Sequence, residues 1–464
     1  MDVHAKSAKN PALHVLLRQK QCNIFFVNTR CVSIRAGCFL LKNIDICDIV
    51  LGIMNPVFEV LYYVILFFAI YFQVFFLVVF FEKRSVLKKT SSKTLSSLPS
   101  VTFLIPCWNE EKSITRTVES VLSVDYPKDK LHIFIIDDGS TDNTWDKLQS
   151  FKDNHQITLL QKENGGKHSA LNYALSFIKT DLVVSFDADT SIRRDALVNA
   201  VEHFIDDPEL MALGGAVLIN KPHTVAQRAQ SVEYQMFSYT KKMLGMISGV
   251  MVVPGAFSVF RREVFDKIGG YRKGHNLEDL ELTFRIQASG MKVDHCHTAV
   301  VVTNGPASIK SLFKQRLRWG YGFLGNVSDY FNLMFKKDFG NFAFFTLPMS
   351  VFSYVIIVFV FMVSSYKIVS YFIDQVTRIM LVGFQGFSFN FDSFFIDTRS
   401  ITLLGFIMYG MILLSIYLGK KISNIKHFNL WSIICFGFLY SVLAPLWILK
   451  TIYNWTFSRQ VAWR

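Results

Sequence analysis

Hydrophobic positions fall into two regimes along the chain. From Val101 to about Asn326, short apolar runs alternate with amphipathic stretches, whereas the flanking regions carry much longer apolar blocks. In the first regime VTFLIP reads as a strand followed by a helix over Glu111–Ser123. HIFIIDD is a second strand with a helix from about Asp142, ITLLQ a third with a helix over Lys167–Ile178, and LVVSFDAD a fourth. Leu210–Ile219 and Val250–Phe260 supply further strands, separated by a long amphipathic segment, Thr224–Met246. Strands alternating with helices at this spacing predict an α/β domain built on a mostly parallel sheet.

The long blocks predict membrane helices. Val57–Phe81 carries one charge, Glu59, and exceeds the roughly 20 residues a bilayer crossing needs. Phe342–Tyr366, Ile401–Leu418 and Leu430–Ile452 suit the same role. Ser370–Phe395 is interrupted by Asp374, Arg378 and Asp392 and reads as interfacial. Basic residues follow the first span (EKRSVLKK), and Lys420, Lys421 and Lys426 sit between the last two. By the positive-inside rule both clusters place the α/β domain on the cytoplasmic side of the cell membrane. The predicted layout is an upstream extension (1–53), a transmembrane helix (54–84), the α/β domain (99–326) and a membrane domain of about three helices (340–464). A serine-rich linker, Ser91–Ser97, precedes the α/β domain.

Composition agrees with a membrane protein that carries a soluble domain. Of 464 residues 51% are hydrophobic, 45 are Phe, and 18% are charged, against a usual quarter. The net charge of +13 suits a face held against anionic lipid, or a polyanionic ligand such as a nucleotide diphosphate. No basic stripe interleaved with aromatics appears, so nucleic acid is not the expected partner. The seven cysteines form neither a paired framework nor a zinc spacing. Four of them, with seven Lys/Arg, crowd into residues 1–53. That segment would be basic on the wrong side of the membrane, and it reads as mistranslated or poorly ordered sequence ahead of an ordinary start at Met54.

Candidate chemistry gathers at the predicted strand ends. In VVSFDAD, Asp187 and Asp189 point to one face of a strand and repel unless a cation lies between them. Hard oxygen ligands suit Mg²⁺ or Mn²⁺; capping of a helix starting near Ile192 is an equal alternative. IPCWNEE and IIDDGSTDNT end two further strands in acids and amides able to bind a nucleoside, although Asp137 and Asp138 also suit a turn before Gly139. ENGGKHSALN opens a helix with two glycines and Lys167, which suits phosphate but lacks the Walker spacing. In NLEDLELTFRI, Glu278 and Asp279 begin a helix, either as dipole partners or as a general base for sugar transfer. KQRLRWGYG sets Lys314, Arg316 and Arg318 around Trp319, as a juxtamembrane basic helix or as a site for diphosphate and sugar.

The ordered set DDGS, DAD, LED and QRLRW resembles the family 2 glycosyltransferases. The likeness is to their membrane-integrated branch of cellulose, chitin, hyaluronan and poly-β-1,6-N-acetylglucosamine synthases, and it covers about Val101–Gly325. The resemblance implies a GT-A, Rossmann-like nucleotide-sugar domain inserted between transmembrane helices. It implies that Asp138 contacts uridine with Glu110 and Lys167 as neighbours, and that Asp187 contacts the donor. Asp189, with Asp187, would ligate the Mg²⁺ or Mn²⁺ bound to the donor diphosphate. Asp279 would be the catalytic base with Glu278 beside it, Arg318 would bind the diphosphate, and Gln315 and Trp319 the acceptor. The expected activity is inverting transfer from a UDP-sugar to a growing β-linked polysaccharide, with N-acetylglucosamine polymer as product. A non-processive transferase acting on a lipid acceptor, and a scaffold that only binds nucleotide, are the alternatives. PGAFSVFRR (Pro254–Arg262) departs from the polymerising pattern, with Ala256 and Phe257 where a small polar residue is common.

Overall fold

The computed structural model describes residues 41–84, 98–383, 400–423 and 429–457. Residues 1–40 of the upstream extension, the Ser91–Ser97 linker, Lys426 and the end of the expected interfacial segment lie outside them. The chain divides into two compact units, Met1–Val64 and Ile65–Arg464. Helix α1 (Leu41–Glu82) spans that boundary.

Eight strands form one mixed sheet. They are β1 (Val101–Cys107), β2 (Leu131–Asp137), β3 (Ile157–Gln161), β4 (Leu182–Phe186), β5 (Thr190–Ile192), β6 (Leu210–Ile219), β7 (Phe257–Arg261) and β8 (Lys292–Thr303), in the order 3-2-1-4-7-6-8-5. The first four are mutually parallel, with Phe103 opposite Ile133 and Val184. β7 then runs antiparallel to β4 and β6, and β8 parallel to β6. β1 and β4 are buried along their whole length because helices cover both faces, which is why they read as continuous apolar runs.

Strand alternation sorts those runs between two cores. Val101, Phe103 and Ile105 pack with α2 (Ile114–Leu122) and α5 (Ala196–Asp206) on one face. Leu104, Ile136 and Val183 pack with α4 (Lys167–Leu175) and α8 (Glu278–Ala288) on the other. Short helices α3 (Thr144–Gln149) and α7 (Arg262–Ile268) complete the layers.

Two long helices lie between the sheet and the membrane elements. α6 (Val225–Met246) starts at a capping box in which Thr224 and Gln227 satisfy each other's amides. α9 (Ile309–Asp329) starts at a similar box formed by Ser308 and Ser311. α6 packs on β6 and β8 and also on α11 (Ser400–Ile422) and α12 (Leu430–Thr456), while α9 packs on α12 and α8.

Among the described residues four helices are long and apolar enough to cross a membrane, over Val60–Glu82, Phe342–Leu381, Thr402–Ile422 and Leu430–Thr456. Helix α10 (Leu347–Val382) runs unbroken past Asp374 and Arg378, so residues 370–382 continue the helix that begins at Leu347. At 1.5 Å per residue its 36 residues measure about 54 Å, beyond the roughly 30 Å of hydrocarbon. The two charges therefore have length to lie outside the apolar layer.

Several strand expectations change: β4 ends at Phe186, so Asp187 and Asp189 lie in the turn beyond it and not on one strand face, and β5 was not expected. The strand expected over Val250–Phe260 begins only at Phe257, because Pro254 lacks a ladder donor and its carbonyl accepts from Phe257 N (3.0 Å) in a turn. β8 was absent from the expected set, since its DHCH run breaks apolar alternation. Asp294 there pairs with His203 (3.4 Å), and Lys242 donates to the His295 backbone carbonyl (3.2 Å), while the His295 ring nitrogens are buried without a hydrogen-bond partner.

Candidate active site

Because β2, β1 and β4 are parallel neighbours, their carboxyl ends open on one edge, where α/β sheets bind ligands. Asn109, just past β1, takes a left-handed conformation (φ 56°), and its side-chain oxygen accepts from Thr141 N (2.8 Å). This contact ties the β1 and β2 loops together. Glu110 Oε2 accepts from Ser113 Oγ (2.7 Å).

Asp137 and Asp138 are both buried. Asp138 organises the glycine loop: its Oδ1 accepts from Lys162 Nζ (2.8 Å) and Gly165 N (3.1 Å), and its Oδ2 from Gly166 N (2.8 Å). Lys162 was not among the residues expected at the site. It precedes the glycine motif, and only the fold turns its amine back onto β2.

The loop hands over to α4 at Lys167, whose amine lies 2.7 Å from Asp187 Oδ1 and 3.0 Å from Glu278 Oε1. Burial opposes its charge, but the Asp187, Glu278 and Asp279 carboxylates outweigh that and hold its pKa well above the usual lysine value. Lys167 thus joins the end of β4 to the start of α8, two segments about ninety residues apart in sequence.

Asp189 does not cap a helix. The chain enters β5 at Thr190, and α5 starts only at Ala196. Asp189 Oδ1 accepts from Thr190 Oγ1 and Thr303 Oγ1, each at 3.3 Å. Burial, with the charges of Asp187 and Glu110 adding to it, raises its pKa to about 6. Carboxylates held this close to one another are poised for a cation. Among the described residues, no group of three or more His, Cys, Asp or Glu gathers to hold a metal without outside ligands.

Asp279 accepts from Gly255 N (3.0 Å) and Leu280 N (2.8 Å). Burial and neighbouring Glu278 raise its pKa, while Lys167 opposes them. Gly255 leaves room for this approach: a Cβ there would lie 2.8 Å from Lys167 Nζ, which would have to shift, and 3.4 Å from Asp279 Oδ2. Lys241 of α6 faces the same carboxylate, and burial lowers its pKa to about 8 although Asp279 favours its charge.

The QRLRW segment on α9 forms a second cluster. Gln315 Oε1 accepts from Gln230 Nε2 (2.8 Å). Arg316, which the motif treats as variable, is buried in an ion pair with Glu233, lies 4.3 Å over the Trp319 ring, and donates to Tyr440 Oη (3.2 Å). One face of Trp319 is therefore already covered by a guanidinium. Tyr234 connects the clusters: its hydroxyl, raised by burial, feels Arg316 and Glu233 together with Asp189 and Asp187. Arg318 follows Arg316 on the same helix, among further interactions. Glu233, Gly255 and Lys162 carried no readable signal in sequence, because each acquires its role from a partner distant along the chain; Arg316 stood out only as one of the basic residues around Trp319, and its pairing with Glu233 was not readable.

This arrangement has known counterparts, and the first is the fold. The structure aligns with a mannosyltransferase from Pyrobaculum calidifontis in complex with GDP-Man and Mn²⁺ at a TM-score of 0.53 and 16% identity, covering 85% of this chain and 99% of that one. The α/β domain has the GT-A fold, flanked by membrane-length helices. Residues 99–322 match the family described as "Glycosyltransferase like family 2". It is 30% identical over 263 residues to a poly-beta-1,6-N-acetyl-D-glucosamine synthase of Staphylococcus aureus (strain COL), covering 56% of this chain and 63% of the relative. A synthase of the same name from Staphylococcus epidermidis is 30% identical over 241 residues, covering 52% and 57%. The chain thus spans somewhat under two thirds of the length of these relatives.

Proposed function

We propose that this protein transfers a sugar from a UDP-sugar to a growing β-linked polysaccharide at the cytoplasmic face of the cell membrane, with an N-acetylglucosamine polymer as product. The observation that carries this reading is the commitment of carboxylates around Lys167. Asp187 and Glu278 are both paired to its amine, while Asp279 beside them has a raised pKa and accepts from the backbone amides of Gly255 and Leu280. Identity to synthases named for poly-N-acetylglucosamine supports the product class.

Asp279 accepts the acceptor hydroxyl's proton while that oxygen attacks C1 of the donor sugar. The C1–O bond to UDP breaks in the same displacement, and Arg318 binds the departing diphosphate. With Asp279 as the single base and no carboxylate assigned as a nucleophile, the displacement is single, and an α-linked donor gives a β-linked product. Trp319 and Gln315 hold the acceptor end, and Asp138 shapes the glycine loop against the uridine.

Asp189, with the Asp187 oxygen that is not paired to Lys167, would hold a divalent cation, Mg²⁺ or Mn²⁺, whose other ligands would have to come from outside the chain. When bound, such an ion neutralises charge on the leaving diphosphate. Titration calorimetry of the full chain in lipid nanodiscs with UDP tests this assignment. Chelation and Asp189→Asn should each weaken UDP binding about tenfold or more, the scale of losing one charge-assisted contact or its second shell. Equal affinity with and without chelator removes the ion from the account.

A further inference from the structure

Immediately before α8 the chain turns through three successive left-handed residues, Gly274 (φ 53°), His275 (φ 54°) and Asn276 (φ 67°). Glycine adopts that backbone freely, whereas histidine and asparagine persist in it only where their surroundings compel it. Leu277 follows, and then Glu278 and Asp279. The placement of the carboxylates at the site therefore depends on how this loop is held.

One side of the loop is open. A cavity of about 630 Å³ lies against it, lined by Arg272, Lys273, His275, Tyr321 and Tyr330 among others. On the other side the loop is pinned to α9 and α12. His275 Nε2 lies 2.8 Å from Asp329 Oδ2 near the end of α9. Its ring meets the Trp455 ring of α12 edge-on at 5.6 Å between centroids. Gly325 makes room for the imidazole, since a Cβ there would overlap it, and Gly322 does the same for Leu277. Asn326 Nδ2 donates to the Gly274 carbonyl (3.0 Å), and Trp455 packs in turn on Tyr321.

We propose that His275 is a positioning residue for Asp279: through Asp329 and Trp455 it hangs the left-handed loop from α9 and membrane helix α12 and so sets where the base meets the acceptor. The proposal rests on the reading of Asp279 as the base. The same helix α9 carries Gln315 and Trp319, so one rigid element fixes both the base loop and the QRLRW cluster. Asp329 touches no reacting atom in this scheme and acts only through the imidazole.

The test is steady-state kinetics on the full chain in nanodiscs, with Asp329→Ala, Asp329→Asn, His275→Asn and Asp279→Asn compared. Asp329→Ala should lower kcat about tenfold, the scale of a sub-ångström misplacement of a reacting group, with the donor KM unchanged. Asp329→Asn should restore most of kcat, because its amide oxygen still accepts from the imidazole. His275→Asn tolerates the left-handed backbone but is too short to reach Asp329, and should fall as Asp329→Ala does. Wild-type kcat in Asp329→Ala overturns the proposal. So does equal loss in the alanine and asparagine variants, or a rise in donor KM that tracks the loss, since either marks general loosening. If Asp279→Asn retains full turnover, the base assignment fails and this proposal with it. If Asp279→Asn is inactive while Asp329→Ala is normal, the positioning role alone is wrong.

Discussion

Asp279→Asn should abolish sugar transfer while leaving UDP binding intact, a loss on the order of 10²–10⁴-fold for a missing general base. The asparagine keeps the shape and can still accept from Gly255 N, so the loop geometry is preserved and only the proton acceptor is removed. The pH profile gives the same residue a second signature. Burial and Glu278 raise the Asp279 pKa, and the base works only when deprotonated, so kcat should fall as pH drops through a value above the ordinary carboxylate range. Lys167 opposes that rise. Lys167→Met should therefore push the acid limb to higher pH, because it removes an opposing charge and frees the Glu278 carboxylate beside the base. An acid limb that stays in place, or moves down, assigns the proton to another group.

Removing one member of the Glu233–Arg316 pair should cost about 3–5 kcal/mol of stability, because the survivor is left as a buried, uncompensated charge. Both side chains are nearly inaccessible, at 8% and 6% exposure, so solvent does not screen the loss. Burial raises the Glu233 pKa even with the guanidinium beside it, so desolvation exceeds the attraction of its partners. The pair is thus a poor stabiliser compared with apolar side chains, and a damaging one to halve. Glu233→Ala and Arg316→Ala should each lower the thermal unfolding midpoint well below wild type. Glu233→Leu combined with Arg316→Met should recover much of the loss. If the double variant is as unstable as the singles, packing around Trp319, Tyr440 and Trp447 matters more than the charges. The activity of that double variant is informative too, since Arg316 covers one face of Trp319.

The parts of the fold that were legible in sequence share one property: their signal is local. β1 to β4 are short apolar runs bounded by polar turns, and parallel pairing aligned their acidic ends without further information. The start of α6 could be read from Thr224 and the apolar spacing behind it. What escaped is non-local. β8 hides because its DHCH run breaks the apolar alternation, and of that run only the Asp294 side chain (to His203) and the His295 backbone carbonyl (to Lys242) meet residues on other helices. β7 begins late because Pro254 and Gly255 serve the site, one ending the ladder and the other donating to Asp279.

The same division runs through the site. Asp187, Asp189, Glu278 and Asp279 stood out as carboxylates at element ends, and Lys167 as a cation at a helix start. That Lys167 binds two of those carboxylates at once follows only from the fold. The QRLRW segment drew attention to Arg318 and Trp319, while the most deeply committed charge in it, Arg316, occupies a position the motif leaves open. Its partner Glu233 lies 83 residues away, on a helix whose own pattern shows an ordinary amphipathic acid.

The central claim is that this chain polymerises a nucleotide-activated sugar. The most direct measurement is a radiolabelled transfer assay on the purified full chain in nanodiscs, with UDP-N-acetylglucosamine and Mg²⁺ or Mn²⁺, and products sized by gel. The account predicts a high-molecular-weight product that disappears on chelation and in Asp279→Asn. A single labelled lipid would contradict polymerisation and make the protein a non-processive transferase.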